Sequence, residues 1–242
     1  MTNVKPSPPW AGGRFSRKPR RFAIGDVHGC SRTLQTLVEE VIRPEPDDVI
    51  FLLGDYIDRG PDSKGVLNYL MALFEREDFL VFSLMGNHEE LCLKAAAGDK
   101  VAEKIWYGNG GYGTLQSFGV GRAEDIPTKY LNFMAAMGRI KVENNYILVH
   151  AGLDFATEDP IRDSSSEFML WDRSERVQPV HIGDRTLVCG HTVTPLFQIK
   201  ESLTTRVIRL DNGCYDKGHM GYGSLVALDM NSRELVLQEN CE

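Results

Sequence analysis

Three short polar runs, each opened by glycine and each placed directly after an apolar stretch, constrain this chain more than any other feature. Gly25-Asp26-Val27-His28-Gly29 follows Phe22-Ala23-Ile24. Gly54-Asp55-Tyr56-Ile57-Asp58-Arg59-Gly60 follows Val49-Ile50-Phe51-Leu52-Leu53. Gly86-Asn87-His88-Glu89-Glu90 follows Phe79-Leu80-Val81-Phe82-Ser83-Leu84-Met85. Successive runs lie roughly thirty residues apart, about the length of one strand–helix–strand unit. Parallel strands joined by right-handed crossovers place the ends of successive strands side by side. Open α/β sheets keep their active sites at the carboxyl ends of such strands. Asp, His and Asn converging there predict a metal site, and Arg59-Gly60 beside Asp58 predicts a phosphate site.

The stretches between the runs read as helices. Ser31 is placed to cap a helix carrying Leu34, Leu37, Val38, Val41 and Ile42, which Pro44 closes. Asp62-Ser63 caps a second, with Val66, Leu67, Leu70, Met71 and Phe74 at helical spacing. A third begins near Glu89, where acidic residues suit the helix N-terminus. Residues 98–142 break the alternation and read as a small, mostly helical insertion near the cleft, containing Trp106 and Asn109-Gly110-Gly111. From Tyr146 the chain is strand-rich: Tyr146–Val149, Thr186–Cys189, Arg206–Leu210, Ser224–Leu228 and Glu234–Leu237, the last two joined as a hairpin.

Composition narrows the class. At 242 residues with 42% hydrophobic and 25% charged, the chain suits a soluble domain with a sizeable core. It has no apolar run of membrane-spanning length and no secretory leader. Its five scattered cysteines lack Cys-x-x-Cys, which predicts free thiols in a reducing cytoplasm. Residues 1–20 form a basic arm expected to be disordered. Beyond residue 21 there are 21 basic against 34 acidic residues, so stable nucleic-acid binding is not expected.

Four of the six histidines, His28, His88, His150 and His191, stand at the end of an apolar run or beside glycine. One alone would read as structural. Four of them, joined by Asp26, Asp55 and Asn87 at equivalent strand ends, read as metal ligands. His181 and His219 lie in ordinary loop sequence.

Gly-Asp-x-His-Gly, Gly-Asp-x-x-Asp-Arg-Gly and Gly-Asn-His-Glu, followed by His150-Ala151-Gly152 and Gly190-His191-Thr192, resemble the metallophosphoesterases of the phosphoprotein phosphatase family. The resemblance runs from about Phe22 onward. It is nearest to bacterial and phage-type serine/threonine phosphatases and to bis(5'-nucleosyl)-tetraphosphatases. It implies an α/β sandwich of two mixed sheets flanked by helices. It also implies Asp26 and His28 on one metal, Asp55 bridging, and Asn87, His150 and His191 on the other. Such a donor set suits Mn²⁺, Fe or Zn²⁺, with Mn²⁺ expected in vitro. His88, oriented by Asp58, is implied as general acid, and Arg59, Arg173 and Asn87 as phosphate contacts. Arg173 is taken from Leu170-Trp171-Asp172-Arg173, with Arg162 and Arg176 as substitutes. Attack by a metal-bridging hydroxide on a phosphomonoester is the implied reaction.

The expected substrate is a phosphoprotein or phosphopeptide, and the alternative is a dinucleoside tetraphosphate. A monomer without membrane attachment is expected. Trp106 through Leu115 can either line the cleft or pack the insertion, and Tyr215 and Tyr222 are further candidate substrate contacts.

Overall fold

A computed structural model describes residues 18–174 and 178–242. The arm expected over residues 1–20 lies outside the described residues up to residue 17. Arg20 already belongs to the folded body, its guanidinium paired with the buried Asp48 at 2.8 Å.

Nine strands form two sheets. The first has the order β3 (Leu80–Ser83), β2 (Val49–Leu52), β1 (Arg21–Ile24), β8 (Ser224–Asp229), β9 (Glu234–Glu239). The second has the order β4 (Ile140–Glu143), β5 (Tyr146–Val149), β6 (Thr186–Cys189), β7 (Val207–Arg209). β1, β2 and β3 are mutually parallel, with Phe22 opposite Ile50 and Ile50 opposite Val81. β8 joins them antiparallel and forms the hairpin with β9. In the second sheet β4 pairs antiparallel with β5, while β5, β6 and β7 are parallel. Both sheets are therefore mixed, as expected.

The unbroken apolar strands follow from burial on both faces. Along β1 and β2, Ala23, Val49, Phe51 and Leu53 enter the layer between the sheets, where they meet Leu148, Val188, Ile208 and Val226. Their neighbours Phe22, Ile24, Ile50 and Leu52 face outward into a helical layer. On the far side of the second sheet, Ile147, Val149, Leu187 and Cys189 pack against Leu153, Phe155, Met169 and Ile182. Each fully buried Leu, Ile or Phe contributes about 1.5–3 kcal/mol. The period-2 alternation thus builds a four-layer helix–sheet–sheet–helix body.

The first helical layer holds α1 (Ser31–Thr36), α2 (Ser63–Phe74) and α3 (Asn87–Ala96). The cap residue of α1 is Cys30 rather than Ser31, and no side chain caps it. The chain continues as a π-helical turn over Leu37–Ile42 and ends at Arg43 with φ 50°. Asp62 caps α2 by accepting from the Gly65 N–H at 2.8 Å, as expected. α4 (Lys100–Gly108), α5 (Gly111–Phe118) and α6 (Thr128–Ala135) follow. The helical reading of 98–142 is corrected at its end, because Ile140–Glu143 is the edge strand β4. Its alternating Ile, Lys, Val and Glu give too short a period-2 signal to separate from the preceding helix. Short helices α7 (Pro160–Asp163), α8 (Ser166–Trp171), α9 (Pro179–Ile182) and α10 (Leu196–Ser202) lie between the later strands. No helix among the described residues is long and apolar enough to cross a membrane. All five cysteines are free thiols, four of them buried.

Candidate metal centre

The carboxyl ends of β1, β2, β3, β5 and β6 meet at the edge of the inter-sheet layer. Each strand ends in a tight turn whose first side chain is forced inward. His28, Asp55, Asp58, Arg59 and His191 all adopt positive φ, between 45° and 72°. Such conformations cost on the order of 1–3 kcal/mol each and persist only where the surroundings over-determine them. Glycine makes the approach possible. A Cβ on Gly86 would lie 2.0 Å from Asp55 Oδ1, and Gly54, at φ 111°, abuts Gly86 and the His150 ring.

Glu89 ties two of these turns together. Its carboxylate, fully buried, accepts from the N–H groups of Asp55 and Gly86 at 2.9 Å, Tyr56 at 2.8 Å and Ile57 at 3.2 Å. The sequence placed Glu89 at a helix start, which is correct, but gave no sign of this clamp between loops. Burial, followed by the charge of Asp55, pushes its pKa up to about 7.

Two groups of possible ligand atoms result. His28, Asp55 and His88 form one, and Asp55, His150 and His191 the other, each within 4.8 Å. Second partners set the tautomers. His28 Nδ1 donates to the Ile57 carbonyl at 2.9 Å and His150 Nδ1 to the Leu53 carbonyl at 3.0 Å. A carbonyl can only accept, so each Nε2 keeps its lone pair turned into the site. His150 Nε2 then faces Asn87 Oδ1 at 2.9 Å and Asp55 Oδ2 at 3.4 Å. His191 Nδ1 meets the same Asn87 oxygen at 2.9 Å, while its Nε2 is buried with no partner among the described residues. Acceptor atoms facing one another in a dry pocket fit a bound cation.

Electrostatics agree with that donor set except at His150, where burial is outweighed by Asp55 and the imidazole is held above its ordinary value. Burial opposes charge on Asp55, but His150, His88 and His28 surround it and hold its carboxyl well below the usual range. Burial, reinforced by His88, keeps His28 well below the ordinary imidazole value. Burial and His150 bring His191 down to about 3. Asp26 is raised by burial and then by Asp211 and Asp55. Its carboxylate belongs to neither close group; it accepts instead from the His191 N–H at 3.0 and 3.2 Å.

His88 has a different setting. Its Nδ1 donates to Asp58 Oδ2 at 2.6 Å, and its Nε2 stands 3.8 Å from Asp55. Burial works against charge here, yet Asp55 and Asp58 outweigh it and hold the imidazole pKa above its ordinary value. Asp58 is itself fixed from the insertion. Trp106 Nε1 donates to its Oδ2 at 2.8 Å and the Thr114 hydroxyl to its Oδ1 at 2.6 Å. Trp106 is wholly buried, so of the two readings offered for it the packing one describes its place, with an added polar duty.

Arg59 Nη1 donates to Tyr215 Oη at 3.1 Å and stands 3.1 Å from His28 Nε2, with its guanidinium 4.9 Å from the Tyr215 ring centroid. Tyr215 packs edge-on against His28. Arg173 is exposed just beyond α8 and has no ion-pair partner among the described residues; its charge is felt at His191. Arg162 is exposed and pairs with Asp163, and Arg176 lies outside the described residues. Tyr222 is not brought to the ligand cluster by any contact described here. Beside the site, Trp171 faces His191 edge-on and donates to Glu90. With Lys94, Ile105 and Glu167 it lines a cleft of about 590 Å³.

Residues 20–208 match the family model for calcineurin-like phosphoesterases. The chain belongs to that family. Serine/threonine-protein phosphatase 2 of Salmonella typhimurium is 24% identical over 211 residues, covering 83% of this chain and 90% of that protein. The symmetrical bis(5'-nucleosyl)-tetraphosphatase of Nitrosospira multiformis is 31% identical over 134 residues, covering 54% of this chain and only 43% of that protein. A crystal structure provisionally named a diadenosine tetraphosphatase superposes with a TM-score of 0.64 at 21% identity, over 92% of this chain and 94% of that one. This calcineurin-like phosphoesterase therefore shares its fold with proteins named for two different substrates.

Proposed function

We propose that this chain is a dinuclear-metal phosphomonoesterase acting on serine/threonine phosphoproteins. The Asp55 carboxylate carries the reading, because it faces His28 on one side and His150 on the other, at 3.6 and 3.4 Å. Asp26, His28 and Asp55 would hold one divalent ion, and Asp55, Asn87, His150 and His191 the second. When bound, such a pair supplies a hydroxide nucleophile at neutral pH and positive charge for the phosphate. Either Mn²⁺, Fe or Zn²⁺ suits the oxygen and imidazole donors.

The chain's own groups do the rest. Arg59 offers a planar guanidinium for two phosphate oxygens, and Arg173 would offer a second. Asn87 would be a further phosphate contact. His88 holds a proton on the side of the leaving oxygen. Asp58 fixes its Nδ1, so the proton to be given up is on Nε2. An alkoxide leaves poorly, and its protonation is worth about 10²–10⁴ in rate.

Coverage of the two curated relatives, 90% for the Salmonella phosphatase against 43% for the tetraphosphatase, supports the protein substrate, although the structure named a diadenosine tetraphosphatase aligns over 94% of its own length. The second reading, hydrolysis of diadenosine tetraphosphate to ADP, is favoured by the higher identity within that shorter stretch. One preparation at fixed Mn²⁺ should be assayed on a phosphoserine peptide and on diadenosine tetraphosphate. Higher kcat/KM on the peptide is expected, and turnover of the dinucleotide alone would reverse the assignment.

A further inference from the structure

The two halves of the site are unequally supplied. On the His150 side, Asn87, His150 and His191 crowd against Asp55. On the His28 side the one further carboxylate, Asp26, stands back and accepts from the His191 N–H. Next to Asp26 lies a residue that the motifs do not include. Asp211 lies two residues past the end of β7, and the carbonyl of its neighbour Leu210 presses on Gly25, where a Cβ would come within 2.3 Å. The backbone before Asp211 therefore runs flush against the backbone before Asp26.

Asp211 is completely buried. Its Oδ1 accepts from the Gly213 N–H at 2.8 Å, which closes a local turn. Its Oδ2 has no partner among the described residues. A turn needs only one of the two oxygens, so the turn does not account for a buried carboxylate over a buried amide or a serine. Among charged neighbours Asp211 acts on Asp26 most strongly, and Arg59, Asp55 and His150 also lie within its field. Two buried carboxylates near each other repel, and the arrangement is relieved either by a proton on one of them or by positive charge close by.

We infer that Asp211 is a positioning residue for the cation at the Asp26–His28 end, its Oδ2 accepting a hydrogen bond from a water that the cation carries. This rests on the two-cation reading above. A partner outside the ligand set typically changes metal affinity 10–100-fold when removed. In Asp211→Asn the amide oxygen can still take the Gly213 N–H, which leaves an NH₂ group pointing where an acceptor is needed.

Mn²⁺ binding to the full chain, followed by equilibrium dialysis and electron paramagnetic resonance, separates the two sites. Wild-type protein should take up two ions. Asp211→Asn and Asp211→Ala should weaken one of them roughly 10–100-fold and leave the other within about twofold. The metal-free melting temperature of Asp211→Asn should equal or exceed that of wild type, because an unpaired buried charge is gone. Unchanged affinity at both sites, with or without a lower metal-free melting temperature, would assign Asp211 to the turn alone and overturn the inference. Wild-type protein that binds fewer than two ions would instead bring down the dinuclear reading, and this inference with it.

Discussion

At the residue scale, neighbouring side chains of the candidate site face different partners. Asn87 and His88 are adjacent, yet one points at His150 and the other at Asp58. His88→Asn should keep both metal ions by elemental analysis while kcat falls about 10²–10⁴-fold. Loss of an ion in that variant would make His88 a ligand, a possibility its closeness to His28 and Asp55 puts directly to the test. Trp106→Phe removes one of three side-chain donors from a buried carboxylate and should cost about 1–3 kcal/mol by denaturant titration. Its kcat should fall as well, since Asp58 then orients His88 less firmly. Asp26, His28, Asp55, Asn87 and His191 stood out in the sequence as candidate ligands because each sits beside glycine after an apolar run, and His150 because it ends such a run. The Glu89 clamp did not, because apart from Gly86 its partners lie 32 to 34 positions away, and neither did the bond from Trp106 to Asp58, 48 positions back, since nothing local marks either pairing.

At the scale of elements, the turns matter more than the strands they end. Gly86→Ala would push a methyl group into Asp55. A melting temperature lowered by the equivalent of about 1–3 kcal/mol is expected, together with loss of metal. Wild-type metal content in that variant would show that the turn yields more easily than the geometry implies. Strand positions were readable to within a residue or two, since double-sided burial leaves uninterrupted apolar runs. β4 was not, being a half-exposed edge strand whose polar residues blend into the helices before it. The π-helical end of α1 had no sequence signature beyond the proline that follows.

For the whole molecule, the four-layer body fixes five strand ends around one point, and a cation bound there adds to the stability of the folded state only. At a free concentration one hundred times its Kd, one ion contributes about 2.7 kcal/mol. For a chain of this size that corresponds to a rise in Tm of roughly 5–10 °C. Calorimetry before and after chelation should show it, and an unchanged Tm would argue against tight binding. The fold was legible almost entirely, because the alternation of motif, helix and strand is itself a topology. Substrate choice was not, because clefts such as the one at Trp171 form from residues far apart in sequence.

Asp58 is held by a side chain nearly fifty residues downstream, on a helix whose outer face is open to solvent. Under the function proposed above, recognition and rate would be mechanically joined through this bond. A substitution on α4 or α5 meant only to change which substrates are accepted should also shift the setting of His88 through Asp58. Redesigning selectivity here, by nature or in the laboratory, should alter turnover together with affinity.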